Sequence, residues 1–336
     1  MSARAHDLPG AGVSSTASSK TVIHAALAGN LLVAATKFVA AAVSESSSML
    51  SEGVHSLVDT LNEVLLLYGL RRAARGPDTI HPLGYGRELY FWSFIVAVLL
   101  FALGAGVSVY QGVQRMRAPA ALENVVVNYV VLGLSFVFEA VSWRISQRQF
   151  RRAKGEMGYW EAVRRSKDPP TFIVLFEDTA ALIGIAIAAL GTFLADRLQQ
   201  PVFDGIASIL IGLLLAAVAA LLARESKGLL IGERADPEIA AAIEALAGRE
   251  PGITAANGIF TIHLAPEQIV AALSLEFDDE LRTPEIEAIV ARLERLVRER
   301  HPQVVALFVK PQTARGFEQA RALRFGGGAS PGARTG

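Results

Sequence analysis

His55 and Asp59 stand one helical turn apart in a stretch long enough to cross a bilayer, a spacing that suits a metal chelate. The stretch runs from Ser48 to Gly69 and carries Glu52, His55, Asp59, Asn62 and Glu63. At 3.6 residues per turn these five fall at i, i+3, i+7, i+10 and i+11, which is one face. The opposite face is Leu50, Val54, Leu57, Val58, Leu61 and Leu65. Ionisable groups at bilayer depth cost about 2.5–3.5 kcal/mol or more each and mark ion pathways or proton relays. Glu177 and Asp178 lie in a second stretch of this kind, Thr171 to Gly184. Two helices offering nitrogen and oxygen ligands can assemble a tetrahedral site for a borderline divalent ion. The histidine favours zinc, iron or cobalt over magnesium and calcium. Neighbouring residues on a helix point about 100° apart, so one of the two adjacent acids is expected to aim fully at the shared site. The competing structural reading makes all these groups helix–helix glue. Glu52, Asn62 and Glu63 are read as helix-end, packing or hydration groups.

These residues need a membrane-like frame, and the composition supplies one. Hydrophobic residues make up 52% of the chain and charged residues 19%, which points away from an ordinary soluble enzyme. Apolar runs of spanning length fall at about 22–43, 48–69, 91–113, 124–146, 171–195 and 201–224, six predicted transmembrane helices. Residues 1–20 read as a disordered tail rather than a cleaved signal peptide, and 21–225 as the transmembrane domain. The link after the second run holds Arg71, Arg72, Arg75 and Arg87, and the link after the fourth holds Arg148, Arg151, Arg152, Lys154, Arg164, Arg165 and Lys167. The opposite links are poor in basic residues, so both termini are expected in the cytoplasm. Net charge is +0, which suggests no nucleic-acid partner, and the absence of cysteine excludes disulfides and thiolate ligands.

From about Glu225 the pattern changes to that of a small soluble domain, assigned to 226–312. Asp236 caps a helix opening at Pro237. Gly258–Leu264 and Ile269–Asp278 alternate at period two, Thr283 caps a helix from Pro284 to Arg300, and Val304–Val309 reads as a last strand. The order αββαβ predicts a ferredoxin-like α+β domain with helices on one face of a three-stranded sheet. Residues 313–336 are expected to be a disordered tail.

Several separated motifs carry a resemblance. Ser51–Asp59, the segment His81-Pro-Leu-Gly-Tyr-Gly-Arg-Glu-Leu-Tyr-Phe-Trp, the run Asp204-Gly-Ile-Ala-Ser-Ile-Leu-Ile-Gly and the αββαβ tail fall in the order found in the cation diffusion facilitators. The chain resembles that zinc-transporter family over roughly residues 20–312. Phe138-Glu-Ala-Val-Ser and Glu177-Asp178 resemble its zinc transporter 9-like branch. The resemblance implies a transport site of four residues, two on the second span and two on the fifth. His55, Asp59 and Asp178 match three of them, while the fourth position, a His or Asp in the family, is Val174 here. Either Glu177 supplies the fourth ligand or water completes the shell, so iron, manganese and cobalt stay open beside zinc.

The expected function is therefore metal efflux by exchange with protons across a bilayer, through a homodimer, with no resident cofactor and no enzymatic step. A bacterial inner membrane is the expected location. A passive divalent-cation channel is the alternative. An intramembrane metalloprotease is disfavoured because no His-Glu-x-x-His occurs, and a scaffold would leave the polar face unexplained. Lesser signals receive structural readings. Asp78, His81 and Tyr85 shape a loop, and Gly84, Gly86 and Arg87 form the approach to the third span, with Arg87 able to pair with Glu233. His263 and His301 are core or surface groups, Asp204 caps a helix, and Asn30 and Lys37 pack or snorkel.

Overall fold

The computed structural model describes residues 30–119 and 124–325. The expected tail at 1–20, the opening of the first span and residues 326–336 lie outside them. The described residues divide into two compact units, one holding those up to Leu70 with those from Trp92 to Glu225, the other Arg71–Phe91 with those from Ser226 on.

In the helical unit, α1 is Asn30–Ser44, α2 is Ser47–Ala73, α3 is Glu88–Arg117, α4 is Val125–Lys154, α5 is the short Tyr159–Arg165, α6 is Pro169–Leu198 and α7 is Val202–Ile231. A helix stands at each of the six apolar runs. Among the described residues, four stretches are long and apolar enough to span a membrane: Glu88–Arg117, Val125–Arg152, Pro169–Leu198 and Val202–Ile231. Helix α2 has the length, but its polar face lowers its mean hydropathy. In α4, Val126, Val130, Leu134, Val137, Val141 and Ile145 are exposed at helical spacing, as an apolar stripe facing lipid would be.

Small residues let the helices close on one another. A Cβ on Gly112 of α3 would lie 2.5 Å from the carbonyl oxygen of Gly205 on α7, and one on Gly212 would lie 3.0 Å from the Ala105 carbonyl. Between these glycines Ser208 donates to the Ser108 carbonyl at 2.7 Å and shares a 2.6 Å hydrogen bond with Ser51 of α2. Leu100–Ala105 is a widened π-turn within α3, a local break in the ladder that leaves the span continuous.

The second unit holds α8 (Pro237–Ala247), β1 (Ile253–Ala265), β2 (Gln268–Phe277), α9 (Thr283–Arg300), β3 (Val304–Pro311) and α10 (Ala314–Phe325). The αββαβ order is present, with β1 antiparallel and β3 parallel to the central β2. Every second residue of β2, Ile269, Ala271, Leu273 and Leu275, is buried against Ile243 and Ala247 of α8 and Leu293 and Val297 of α9. Asp236 caps α8 by accepting from the Glu238 amide at 2.9 Å. At α9 the cap is Arg282 rather than Thr283, its amide bound by the Glu285 carboxylate at 2.7 Å.

Two expectations need correction. The segment after 312 opens with α10 instead of a tail, and Phe317 of that helix fills the space over Gly258 and meets the Phe260 ring at 6.1 Å. Residues 71–91, assigned by sequence to the membrane domain, pack within the second unit. A Cβ on Gly86 would lie 2.5 Å from Gln268 Oε1 and 3.0 Å from the Leu264 carbonyl. Only a glycine admits that approach.

Candidate cation site in the helical unit

Antiparallel α1 and α2 are laced by polar contacts along their length. Asn30 donates to Glu63 Oε1 at 2.9 Å, and further along Lys37 Nζ reaches Ser56 Oγ at 2.8 Å and Glu52 Oε2 at 3.1 Å. At the turn between the two helices Asp204 accepts from Ser46 Oγ at 2.6 Å, from the Ser47 amide at 2.6 Å and hydroxyl at 2.8 Å, and from Ser48 Oγ at 2.5 Å. A residue at the start of α7 thus caps the N-terminus of α2, where orphan amides and the helix dipole favour an anion. The capping role expected of Asp204 holds, but the helix it caps is not its own.

Between these contacts His55 Nδ1 lies 3.4 Å from Asp59 Oδ1. His55 is buried with neither ring nitrogen hydrogen-bonded, and Asp59 Oδ1 is buried and accepts no hydrogen bond. Asp59 opens onto a cavity of about 30 Å³, also lined by Glu63, Glu139, Val174, Glu177 and Asp178. That volume holds one or two water molecules or a partly dehydrated ion.

The acids are positioned by neutral donors. Asn62 donates to Glu177 Oε1 at 2.6 Å, and Ser142 and Ser146 of α4 donate to the two oxygens of Asp178 at 3.1 and 2.6 Å. Glu177 and Asp178 diverge as helical neighbours must, one toward α2 and the other toward α4. The cavity nevertheless reaches both, so the expectation that one acid alone would face it is revised. Trp143 Nε1 donates to Thr179 Oγ1 at 3.1 Å and fixes α4 against α6 beside them.

Asp59, Glu177 and Asp178 therefore meet at one cavity, while His55 stands behind Asp59 and is not part of its lining. Among the described residues no three His, Asp or Glu side chains converge closely enough to hold an ion as they stand. Val174, one turn before Asp178, presents its methyls to the same cavity. Five carboxylates face this space with no Lys or Arg among its lining residues, a grouping whose ionised forms a cation would stabilise.

Sequence reasoning passed over Glu139 as a site residue, although a lone acid inside the apolar fourth run was a usable signal. Asn30 proved to be a cavity residue. Lys37 is buried completely and ion-paired rather than snorkelling. In the second unit, Asp78 accepts from the amides of Ile80 and His81 and from Tyr85 Oη at 2.6 Å, and the His81 and Tyr85 rings lie 4.2 Å apart. These contacts suit the structural role expected of the loop. His263 is buried, its Nδ1 3.1 Å from the Ala265 carbonyl, as a core histidine would be.

A model of the cation efflux transmembrane domain matches residues 23–231 of the chain. The chain belongs to the cation efflux family. Within that family it is similar to the human mitochondrial proton-coupled zinc antiporter SLC30A9, 33% identical over 250 residues, which covers 74% of this chain and 44% of that protein. It is 35% identical over 222 residues to metal tolerance protein C4 of Arabidopsis thaliana, covering 66% of this chain and 49% of that one. The chain thus spans less than half the length of these curated relatives. A manganese efflux protein of Bacillus subtilis, MneP, is 23% identical over 221 residues, 66% of this chain and 71% of its own length. The cation efflux match ends at Ile231, the last residue of α7.

Proposed function

We propose that this chain is a divalent-metal/proton antiporter that exports metal from the cytoplasm, with zinc as the first substrate to test and iron, manganese and cobalt behind it. The observation that carries this reading is the cavity where carboxylates of α2, α4 and α6 meet beside a buried histidine with neither ring nitrogen hydrogen-bonded. His55, Asp59 and Asp178 are the proposed ligands, with Glu177 as the fourth in place of the residue absent at Val174. The names of the relatives support zinc and proton coupling, and that of MneP supports manganese. The physical coupling is direct. A metal needs a neutral imidazole and ionised carboxylates, so its binding releases protons and protons compete it off. Alternating exposure of such a site exchanges one for the other.

In this reading α1 and α2 complete six spans, the termini face the cytoplasm as the basic links direct, the second unit is a cytoplasmic ferredoxin-like domain, and the transporter works as a homodimer in a bacterial inner membrane.

The test is zinc, iron(II), manganese and cobalt uptake by proteoliposomes with and without an imposed pH gradient, for wild type, His55→Ala and Asp178→Ala. Gradient-dependent uptake of one metal, lost in both variants, is the expected result. Flux that ignores the gradient would make the protein a passive channel, and wild-type rates in His55→Ala would remove the site assignment.

A further inference from the structure

Lys37 is fully buried, and its ammonium holds Glu52 through Oε2 alone. The other oxygen, Oε1, is buried with no hydrogen-bond partner and presses on Gly184 of α6, where a Cβ would collide with it. One turn along α2 from Glu52 stands His55, and Ser56 beside it both accepts from Lys37 and lines the carboxylate cavity. Polar groups therefore continue along α2 past the cavity, from Asp59 through His55 to Glu52 and on toward Ser48. Lys37 is not among the cavity's lining residues and stands immediately behind Ser56. Burying an ion pair costs several kcal/mol per ion before attraction repays it, so stability alone is a poor reason to keep one here. A fixed positive charge at this point does something an apolar pair cannot: it repels a divalent cation from the polar groups beyond it.

We propose that Lys37 is a tethered cation that closes the path from the cavity toward the α1–α2 turn. Glu52 is the carboxylate that receives the divalent ion from His55 and Asp59 when the ammonium moves away. The step is an exchange of partners: the metal leaves Asp59 for Glu52, and the ammonium leaves Glu52 for Asp59. Protonation states and total charge are unchanged. This rests on reading the cavity as a metal site.

Two measurements on the full chain separate the possibilities: cobalt(II) binding in detergent, followed by its visible absorption, and zinc flux in proteoliposomes. They are made on wild type, Glu52→Gln and the double variant Lys37→Met/Glu52→Gln. The double variant leaves no uncompensated buried charge, and retained cobalt binding certifies its fold. The expected result is wild-type cobalt affinity in both variants, with zinc flux down about tenfold or more in each. Flux restored in the double variant would make the pair a structural bond only and overturn the proposal. Loss of cobalt binding with Glu52→Gln that the double variant does not recover would overturn it as well, by placing Glu52 in the resting site. A wild-type protein that neither binds cobalt nor moves zinc would instead sink the transport reading itself.

Discussion

At the scale of single residues, the cavity is defined as much by what Val174 lacks as by what the acids supply. Its methyls face the cavity, and the side chains lining it offer only oxygen donors, with His55 set behind Asp59. Oxygen donors hold manganese and magnesium well, and imidazole shifts preference toward zinc. Val174→His should therefore tighten zinc about tenfold or more relative to manganese, read by competition binding in detergent. An unchanged ratio would mean that residue 174 does not set the preference. Glu139 enters the same space from α4, a helix to which the motif comparison assigned no ligand. Its acid was visible in the sequence, but its direction was not, because one acid on an apolar helix gives no neighbour from which to infer a shared face.

At the scale of elements, α2 is held at its first turn by a group from a distant part of the chain. Its first turn is bound by Asp204, whose carboxylate accepts from three successive serines, Ser46, Ser47 and Ser48. Asp204→Ala removes a cap and leaves buried donors unpaired, so the helical unit should lose about 2–4 kcal/mol of unfolding free energy in a detergent denaturation series. The loop after α2 is ordered by Asp78 and Tyr85. The Tyr85 hydroxyl, with amides of the turn, holds the Asp78 carboxyl below its ordinary value of 3.8, and the hydrogen bond it donates to that carboxylate holds Tyr85 above 10.0. The Asp78 contribution is present above the unfolded carboxylate value and is lost as pH falls through the lowered one. The Tyr85 contribution is present below the unfolded phenol value and is lost as pH rises through the raised one. The contact should thus be constant from about pH 4 to about pH 10. Tyrosine-ring NMR should find Tyr85 titrating above 10.0, falling back toward that value in Asp78→Asn. No such fall would remove the carboxylate as the cause.

At the scale of the whole molecule, the helical unit is apolar both in its core and on its outer surface. Apolar stripes such as that of α4 face outward and the acids converge within, which is stable only where lipid is the solvent. The second unit is built the ordinary way, with an apolar core between two helices and a sheet. If the proposed homodimer is held by this unit, deleting residues 226–336 lowers the mass of the detergent-solubilised particle from dimer toward monomer, measured by light scattering. An unchanged dimer mass would place the subunit contact in the membrane. The same deletion strips residues 71–91 of the surface on which Gly86 is seated, so the loop should become protease-sensitive in that variant.

The amino-acid sequence by itself determined the six apolar runs, the polar face of α2 and the αββαβ order. Each is written in hydrophobic periodicity, which depends on residues within a few turns of one another. What only the tertiary structure decided is which of these faces meet. Ser47 and Asp204 are 157 positions apart, and Asn62 and Glu177 are 115 apart. The burial of Lys37 against Glu52, the arrival of Glu139 at the cavity and the packing of residues 71–91 in the second unit follow from helix neighbours and small-residue contacts. Local pattern does not encode those, because a polar residue on a buried face looks the same in sequence whichever helix it comes to face.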